Sequence, residues 1–244
     1  MAFTVYDETV RMQVNPDASL GTLVTQHPDL ARLFEQRGLD YCCGGEQSLR
    51  DACVAAGLDV ASVVADLASV AATSRVQDWA LMDAAELVNH LESTHHRFLW
   101  AELPRIQGLV DKINSVHGER HPELADVAQC YAEVRADLEP HLLEEERTLF
   151  PMIRELVATN VAPSFPSPSL QDSISVMLAQ HDAVGDLLAG LRDLTGGYVT
   201  PADGCASYRA CYVALAELEA DTHLHIHKEN NLLFPMVVRL EAMQ

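Results

Sequence analysis

Positive charge is scarce in this chain. Sixteen Lys and Arg stand against 36 Asp and Glu, a net charge of −20 over 244 residues. Sequence-independent nucleic-acid binding needs clustered cations that displace counterions, so that class is excluded. Docking on an anionic membrane surface is excluded on the same ground. No apolar window approaches the roughly 18 residues of a membrane span, so none is expected. Met1 to Asp17 lacks a basic stretch followed by an apolar run, so no secretory signal is expected. The six cysteines form no CxxC pair and no disulfide framework, which places the chain in a reducing cytoplasm with free thiols. No convincing β-alternating run occurs. What is present is an ordinary 48% of apolar residues, enough for a core, and eleven histidines, the first hint of chemistry.

Helical patterns fill the chain, so the expected class is all-α. A small N-terminal domain is expected over 1–79 and a four-helix bundle, up-down-up-down, over 80–244. The first part reads as helices over 29–36, 49–56 and 59–72, with Gly38 as a left-handed cap and Ser48 and Asp59 as N-caps. Thr73 to Asp78 reads as a linker. Four longer patterns follow, over about 84–112, 122–158, 170–194 and 205–242. Asp83 and Glu86 resemble a capping box at the first. The Pro/Ser segment Val161 to Ser169 separates the second from the third.

The strongest internal signal is a duplication. His141 to Met152 matches His225 to Met236, with six of twelve positions identical, at an offset of 84. His96 and His181 stand at nearly the same offset. Each copy of a helical hairpin therefore contributes one lone His and one HxxxE. Residues i and i+4 lie about 40° apart and roughly 6 Å along the axis, close enough to reach one ion or a bridged pair. His141 and Glu145 lie on the stripe of Leu124, Val127, Tyr131, Val134, Leu138 and Leu149. His225 and Glu229 lie with Tyr208, Cys211, Leu215, Leu218, Thr222 and Leu232, and His181 with Ile174, Met177, Val184 and Leu188. All five therefore face inward.

Buried carboxylates are costly unless protonated or paired with a cation. Imidazole and carboxylate suit iron, zinc, manganese or copper, and the absence of thiolates on these faces disfavours a structural zinc. Two glutamates related by a pseudo-twofold can bridge two ions, so the expected centre is binuclear, most naturally di-iron. It is not the ferritin-like Glu-x-x-His pattern. On the first long helix, periodicity leaves His95 and His96 both open. His95 shares a stripe with Leu87, Leu91 and Phe98, and His96 with Val88, Leu99 and Leu103. His90 reads as surface, and His117 as an exposed loop residue just beyond the helix. His223 and His227 read as pointing away. Asp137, one turn before His141, reads as solvated, with an acceptor behind the His141 ring the other reading. Pro140 marks a bend beside His141 or an earlier helix end.

Cys42-Cys43-Gly44-Gly45 forms a tight loop in which adjacent cysteines would close only a strained ring. The glycines are expected to leave both sulfurs reachable for iron, nitric oxide or disulfide exchange. Cys53, Cys130, Cys205 and Cys211 read as core residues.

With these residues in place, nearly the whole chain resembles the iron–sulfur cluster repair di-iron proteins (repair of iron centres, ScdA/YtfE type). Leu39-Asp40-Tyr41-Cys42-Cys43-Gly44-Gly45 looks like the signature of their small N-terminal domain. The rest looks like their hemerythrin-like bundle. The motifs are the lone His before Leu103-Pro104, Val116-His117, His141 and Glu145 before Leu149-Phe150-Pro151, Ser175-Val176-Met177 before His181-Asp182, and His225 with Glu229-Asn230-Asn231 before Leu233-Phe234-Pro235. The resemblance implies the ligands His96, His141, Glu145, His181, His225 and Glu229, with His117 as a further one. It thereby selects His96 over His95. The implied cofactor is two iron ions bridged by carboxylate, with an oxo bridge allowed. The implied role is protection or repair of clusters damaged by nitrosative or oxidative stress, through iron donation or nitric-oxide reduction. Its partners would be damaged iron–sulfur proteins and nitric oxide or dioxygen. Family members are cytoplasmic and can form homodimers. The alternative is an oxygen or nitric-oxide carrier or sensor without turnover. Pro140 and Gln180 depart from the family pattern, in the acidic surroundings and access route rather than in the ligand set.

Overall fold

Short helices start where a serine or aspartate can receive the first free amides, and the computed structural model shows three such starts in its first part. It describes residues 14–71, 78–159 and 169–243. The side chain of Ser19 accepts from the Thr22 amide to open α1 (Leu20–Gln26). α2 (Ala31–Arg37) ends at Gly38, whose φ of 64° suits a residue without a Cβ. Ser48 accepts from the Asp51 amide to open α3 (Leu49–Ala55). Asp59 accepts from the Ser62 amide ahead of α4 (Val60–Ala71). Leu20, Leu30, Phe34, Tyr41, Leu49, Cys53 and Leu67 are fully buried between these helices. α1 is absent from the sequence expectation because Gly21 and the β-branched Thr22, Val24 and Thr25 are weak helix formers. Burial of Leu20, Leu23 and Val24 overrides that weakness.

The chain divides into two compact units, Met1–Ala80 and Leu81–Gln244. The second is four antiparallel rods. The first rod is α5 (Ala84–Leu91), a π-turn (Glu92–His96) and α6 (Arg97–His117). The second is α7 (Glu123–Glu144), a π-turn (Glu145–Leu149) and α8 (Phe150–Thr159). The third is α9 (Leu170–Leu194), and the fourth is α10 (Ala206–Lys228), a π-turn (Glu229–Leu233) and α11 (Phe234–Ala242). α7 packs on α9 and on α6, and α10 packs on α6 and α9. No strand forms among the described residues; Ser19 and Ser48 make one isolated bridge. The linker and the Pro/Ser segment expected from the sequence fall mostly on residues 72–77 and 160–168, outside the described residues.

The rods begin at caps. Asp83 and Glu86 close the expected capping box, and Ser169 and Asp172 form a second. The first rod runs to His117, five residues past the expected end, so His117 belongs to a helix rather than a loop. In the second and fourth rods a proline accounts for the π-turn. Pro151 and Pro235 lack the amide that would continue an α-helical ladder and clash with the carbonyl four residues back. The ladder widens by one residue just before them. Phe150 N–H donates to the Glu145 carbonyl and Phe234 N–H to the Glu229 carbonyl, five residues earlier. Pro140, by contrast, sits inside α7 without ending it.

A one-residue insertion rotates everything after it. On the fourth rod the inward stripe passes from Glu229 to Leu233, Phe234 and Val237, leaving the expected Leu232 only half-buried. Below the π-turns the core is apolar: Leu103, Ile106 and Ile113 meet Leu124, Val127, Tyr131, Leu188, Leu191, Leu215 and Leu218. Each such side chain contributes about 1.5–3 kcal/mol on burial. The Tyr131 hydroxyl donates to the Leu103 carbonyl at 2.8 Å, so its polar tip is satisfied. This apolar half anchors the rods and leaves the polar half, at the π-turns, as the place for chemistry.

Candidate metal centre

Six of the seven histidines and glutamates expected to bind metal converge at the level of the π-turns. Their ligating atoms fall into two groups, His96, Glu145, His225 and Glu229, and His141, Glu145, His181 and Glu229. Within each group the atoms lie within 4.8 Å of one another, and all six residues are buried. Both glutamates have zero exposure. Glu145 Oε2 lies 3.3 Å from His96 Nε2 and 3.3 Å from His141 Nε2. Glu229 lies 3.2 Å from both His181 Nε2 and His225 Nε2, through Oε2 and Oε1. The two carboxylates are common to both groups, which is the geometry of bridges between two sites.

The outer nitrogens fix which tautomer faces inward. His96 Nδ1 donates to Glu146 Oε1 at 3.0 Å, His141 Nδ1 to Gln180 Oε1 at 2.8 Å, and His181 Nδ1 to Asn230 Oδ1 at 2.7 Å. A neutral ring that donates from Nδ1 presents a lone pair at Nε2. His141 Nε2 and His181 Nε2 face each other at 3.2 Å, an approach that needs a proton or a cation between the two rings. Among the described residues, His96 Nε2, both ring nitrogens of His225 and all four glutamate oxygens make no hydrogen bond. Buried polar atoms are seldom left unpaired. Two ligands about 2.1 Å from one ion, near a right angle, stand roughly 3 Å apart. The observed separations fit ions set between these atoms, and the donor set fits iron.

Electrostatics agree with a cavity built for positive charge. Burial opposes charge on His96 and His181, yet the facing Glu145 and Glu229 outweigh it and raise both to about 9. Burial likewise opposes ionisation of Glu229, but His225 and His181 hold its carboxyl well below the ordinary value.

The structure separates His95 from His96. Both are buried, but His95 has both nitrogens taken: Nδ1 donates to Asp221 at 2.9 Å, and Nε2 accepts from the Lys228 ammonium at 2.7 Å. It stacks on His225 with ring centroids 5.5 Å apart and planes 5° apart. Burial first, then Lys228, pushes its pKa far down. His90, expected at the surface, is half-buried with Nε2 2.9 Å from Lys228 Nζ. His223 and His227 do not join the cluster.

His117 is a correction. Twenty-one residues of α6 separate its end from His96, roughly 30 Å at 1.5 Å per residue, so it cannot share an ion with the other six. Its Nε2 lies 3.2 Å from Cys205 Sγ instead. Cys205, expected in the core, is exposed; Cys130 is half-buried, and Cys53 and Cys211 are buried.

The residues behind the ligands escape the sequence reading, though a signal for them exists. Glu146 and Asn230 each follow a cluster glutamate at matching positions of the repeat, and Gln180 precedes His181. Asp137 is exposed, and the acceptor on His141 is Gln180. Glu146 also receives the Trp100 indole N–H at 2.8 Å, which locks it. Loss of such an outer partner typically costs 10- to 100-fold in metal affinity. Gln180→Leu is therefore expected to weaken one of two iron sites by that factor in a competition titration with a chromophoric chelator. Gln180→Glu should retain it. Two undiminished sites in the leucine variant would overturn the role of Gln180.

In the first unit, the carboxylate of Asp40 accepts from the amides of Cys42, Cys43 and Gly44 and lies 3.2 Å from Cys42 Sγ. The sulfurs of Cys42 and Cys43 are 3.8 Å apart. Cys42 is buried, so the expectation that both sulfurs are reachable is corrected: Cys43 alone is partly open. The neighbouring Cys43, and then burial, push the Cys42 thiol well up. Asp40, Cys42 and Cys43 form the other group with metal-ligand spacing among the described residues.

Residues 87–237 match the family described as the hemerythrin HHE cation binding domain, and residues 16–71 match a domain of unknown function, DUF542. The chain is 32% identical over 219 residues to the iron-sulfur cluster repair protein YtfE of Enterobacter sp. (strain 638), covering 90% of this chain and 96% of that one. It is 33% identical over 224 residues to the protein of that name in Yersinia pseudotuberculosis serotype IB, covering 91% and 97%. No helix among the described residues is long and apolar enough to cross a membrane.

Proposed function

Because the chain belongs to the family of iron–sulfur cluster repair proteins with a hemerythrin HHE cation-binding domain, we propose that its His/Glu cluster holds two iron ions and serves the repair or protection of damaged iron–sulfur clusters. The observation that carries this reading is the 3.2 Å approach of His141 Nε2 to His181 Nε2 beside four glutamate oxygens that make no hydrogen bond among the described residues. His96 and His225 would hold one ion, His141 and His181 the other, and Glu145 and Glu229 would bridge. Two imidazoles and two shared carboxylates leave coordination positions open at each ion. Iron bound there would supply one-electron redox chemistry and a position for nitric oxide or dioxygen.

The chain's own residues make the two subsites unequal. His96 leans on a charged acceptor, Glu146, which raises the basicity of its inward nitrogen. His141 and His181 lean on neutral amides, Gln180 and Asn230. His225 has no acceptor at Nδ1 and lies against the His95–Lys228 pair, whose positive charge disfavours extra cation on that side. The two subsites thus differ in the charge behind their imidazoles: an acid and an ammonium behind His96 and His225, neutral amides behind His141 and His181.

A repair assay tests the reading. Iron-loaded full chain is mixed with a [4Fe–4S] dehydratase inactivated by nitric oxide or peroxide, and recovered activity is followed. Recovery above that given by free iron is expected, and none above it from Glu145→Ala/Glu229→Ala. Equal recovery by that variant would refute the assignment. A Cys42→Ser/Cys43→Ser protein separates a thiol contribution from the iron centre. Nitric-oxide consumption with a reductant, measured in parallel, distinguishes turnover from a carrier that only binds.

A further inference from the structure

We propose that Cys205 and His117 form a reactive thiolate site, at the end of the bundle away from the His/Glu cluster, that takes small disulfides and forms a mixed disulfide with them. The Arg120 guanidinium carries only donors, and it lies 3.2 Å from His117 Nδ1. Nδ1 must therefore accept, which places the single proton of a neutral His117 on Nε2. That N–H points at Cys205 Sγ, 3.2 Å away. A donor aimed at sulfur favours the thiolate over the thiol. His117 is buried while Cys205 is exposed, so the donor is held in place and the sulfur is open to solvent.

The surroundings push the same way. Cys205 precedes the 23-residue α10, whose N-terminal end carries partial positive charge. The backbone amides of Ser207 and Tyr208, though they close no capping hydrogen bond to the sulfur, act in that direction. His121 lies beside the pair; Glu123 and Asp203 bond to its two nitrogens and raise its pKa. Arg120 and Asp203 form a loose ion pair at 3.7 Å. The Tyr208 ring packs edge-on against both His117 and His121 and is buried against Tyr212. Asp203 and Glu123 are both engaged with His121 rather than with the sulfur. His117 first, then the amides, lowers the Cys205 thiol to about 7.

The chemistry is a displacement. The Cys205 thiolate attacks one sulfur of R–S–S–R, the new S–S bond forms as the old one breaks, and the electron pair leaves on R–S⁻. The small disulfide supplies the oxidation and no proton moves in the step. Near pH 7 about half of Cys205 would be thiolate, against roughly 3% for a thiol at 8.5. The lower basicity of the sulfur gives back part of that gain, so the net advantage over an ordinary thiol is roughly threefold.

The test uses the full chain, reduced, then exposed to glutathione disulfide from pH 5.5 to 9. Adducts are assigned to individual cysteines by peptide mass mapping. Adduct formation at Cys205 is expected to follow a titration with its midpoint near 7 and to vanish in Cys205→Ser. His117→Gln should move the midpoint upward by a unit or more and lower the rate at pH 6 roughly fivefold. Arg120→Gln, at an exposed position that does not threaten the fold, should move it the same way by less. A wild-type midpoint at or above 8.5 would overturn the proposal. So would a midpoint unmoved in a folded His117→Gln or, should that variant not fold, unmoved in Arg120→Gln. None of these readouts depends on iron, so they stand apart from the fate of the metal assignment.

Discussion

Replacing Glu145 by Ala is expected to empty both metal positions, not one, and replacing Glu229 should do the same. Each carboxylate belongs to both groups of convergent ligands, so each removal would strip a ligand from each proposed ion. Loss of a residue behind a ligand already costs about 10- to 100-fold in affinity, and loss of a bridging ligand should cost more. Iron in anaerobically purified protein should fall from about two per chain to well below one in either variant. His141→Ala, by contrast, touches one group only and should leave about one iron per chain. Elemental analysis with Mössbauer spectroscopy reads both numbers, and far-ultraviolet circular dichroism verifies that each variant is folded. Full binuclear iron in either glutamate variant would sink the bridging assignment. Loss of both ions in His141→Ala would sink the partition of the histidines.

His141, Glu145, His181, His225 and Glu229 are legible in the sequence because a duplicated HxxxE on an apolar stripe buries two acids that only protons or a cation can neutralise. Finding those five takes no more than the period of a helix. The first rod resists, because Glu92–His96 is a π-turn. Above it Leu87 and Leu91 face inward; below it Leu99 and Leu103 do. A fixed period of 3.6 cannot join two stripes separated by an inserted residue, so periodicity treats His95 and His96 as equivalent. What separates them is tertiary: Lys228 and Asp221, more than 120 residues away, consume both nitrogens of His95. The same limit hides the Cys205–His117 pair, 88 residues apart in sequence. Resemblance places His117 with the metal, and the length of α6 places it outside. Local periodicity carries the faces of rods; it carries neither their phase after an insertion nor which long side chain from another rod reaches a nitrogen.

Stripping the metal should cost the second unit much of its stability. The inward half of the bundle at the π-turns holds two carboxylates and four imidazoles where the other half holds leucines. Any ion that binds the folded chain and not the unfolded one stabilises it by mass action, about 4 kcal/mol when free metal is 1,000 times its dissociation constant. For a domain of this size each kcal/mol moves the midpoint by roughly 2–4 °C, so chelation should lower it by about 10 °C or more. Calorimetry of iron-loaded, chelated and reloaded protein checks the shift. Iron should restore the midpoint, whereas magnesium should not, because imidazole is a poor ligand for so hard a cation. The Glu145→Ala/Glu229→Ala protein supplies the internal control: its midpoint should not respond to chelator at all. A wild-type midpoint equally indifferent would mean that no bound cation holds these rods together. The mutual approach of His141 and His181 would then have to be carried by protons, with Glu145 and Glu229 as their counter-charges.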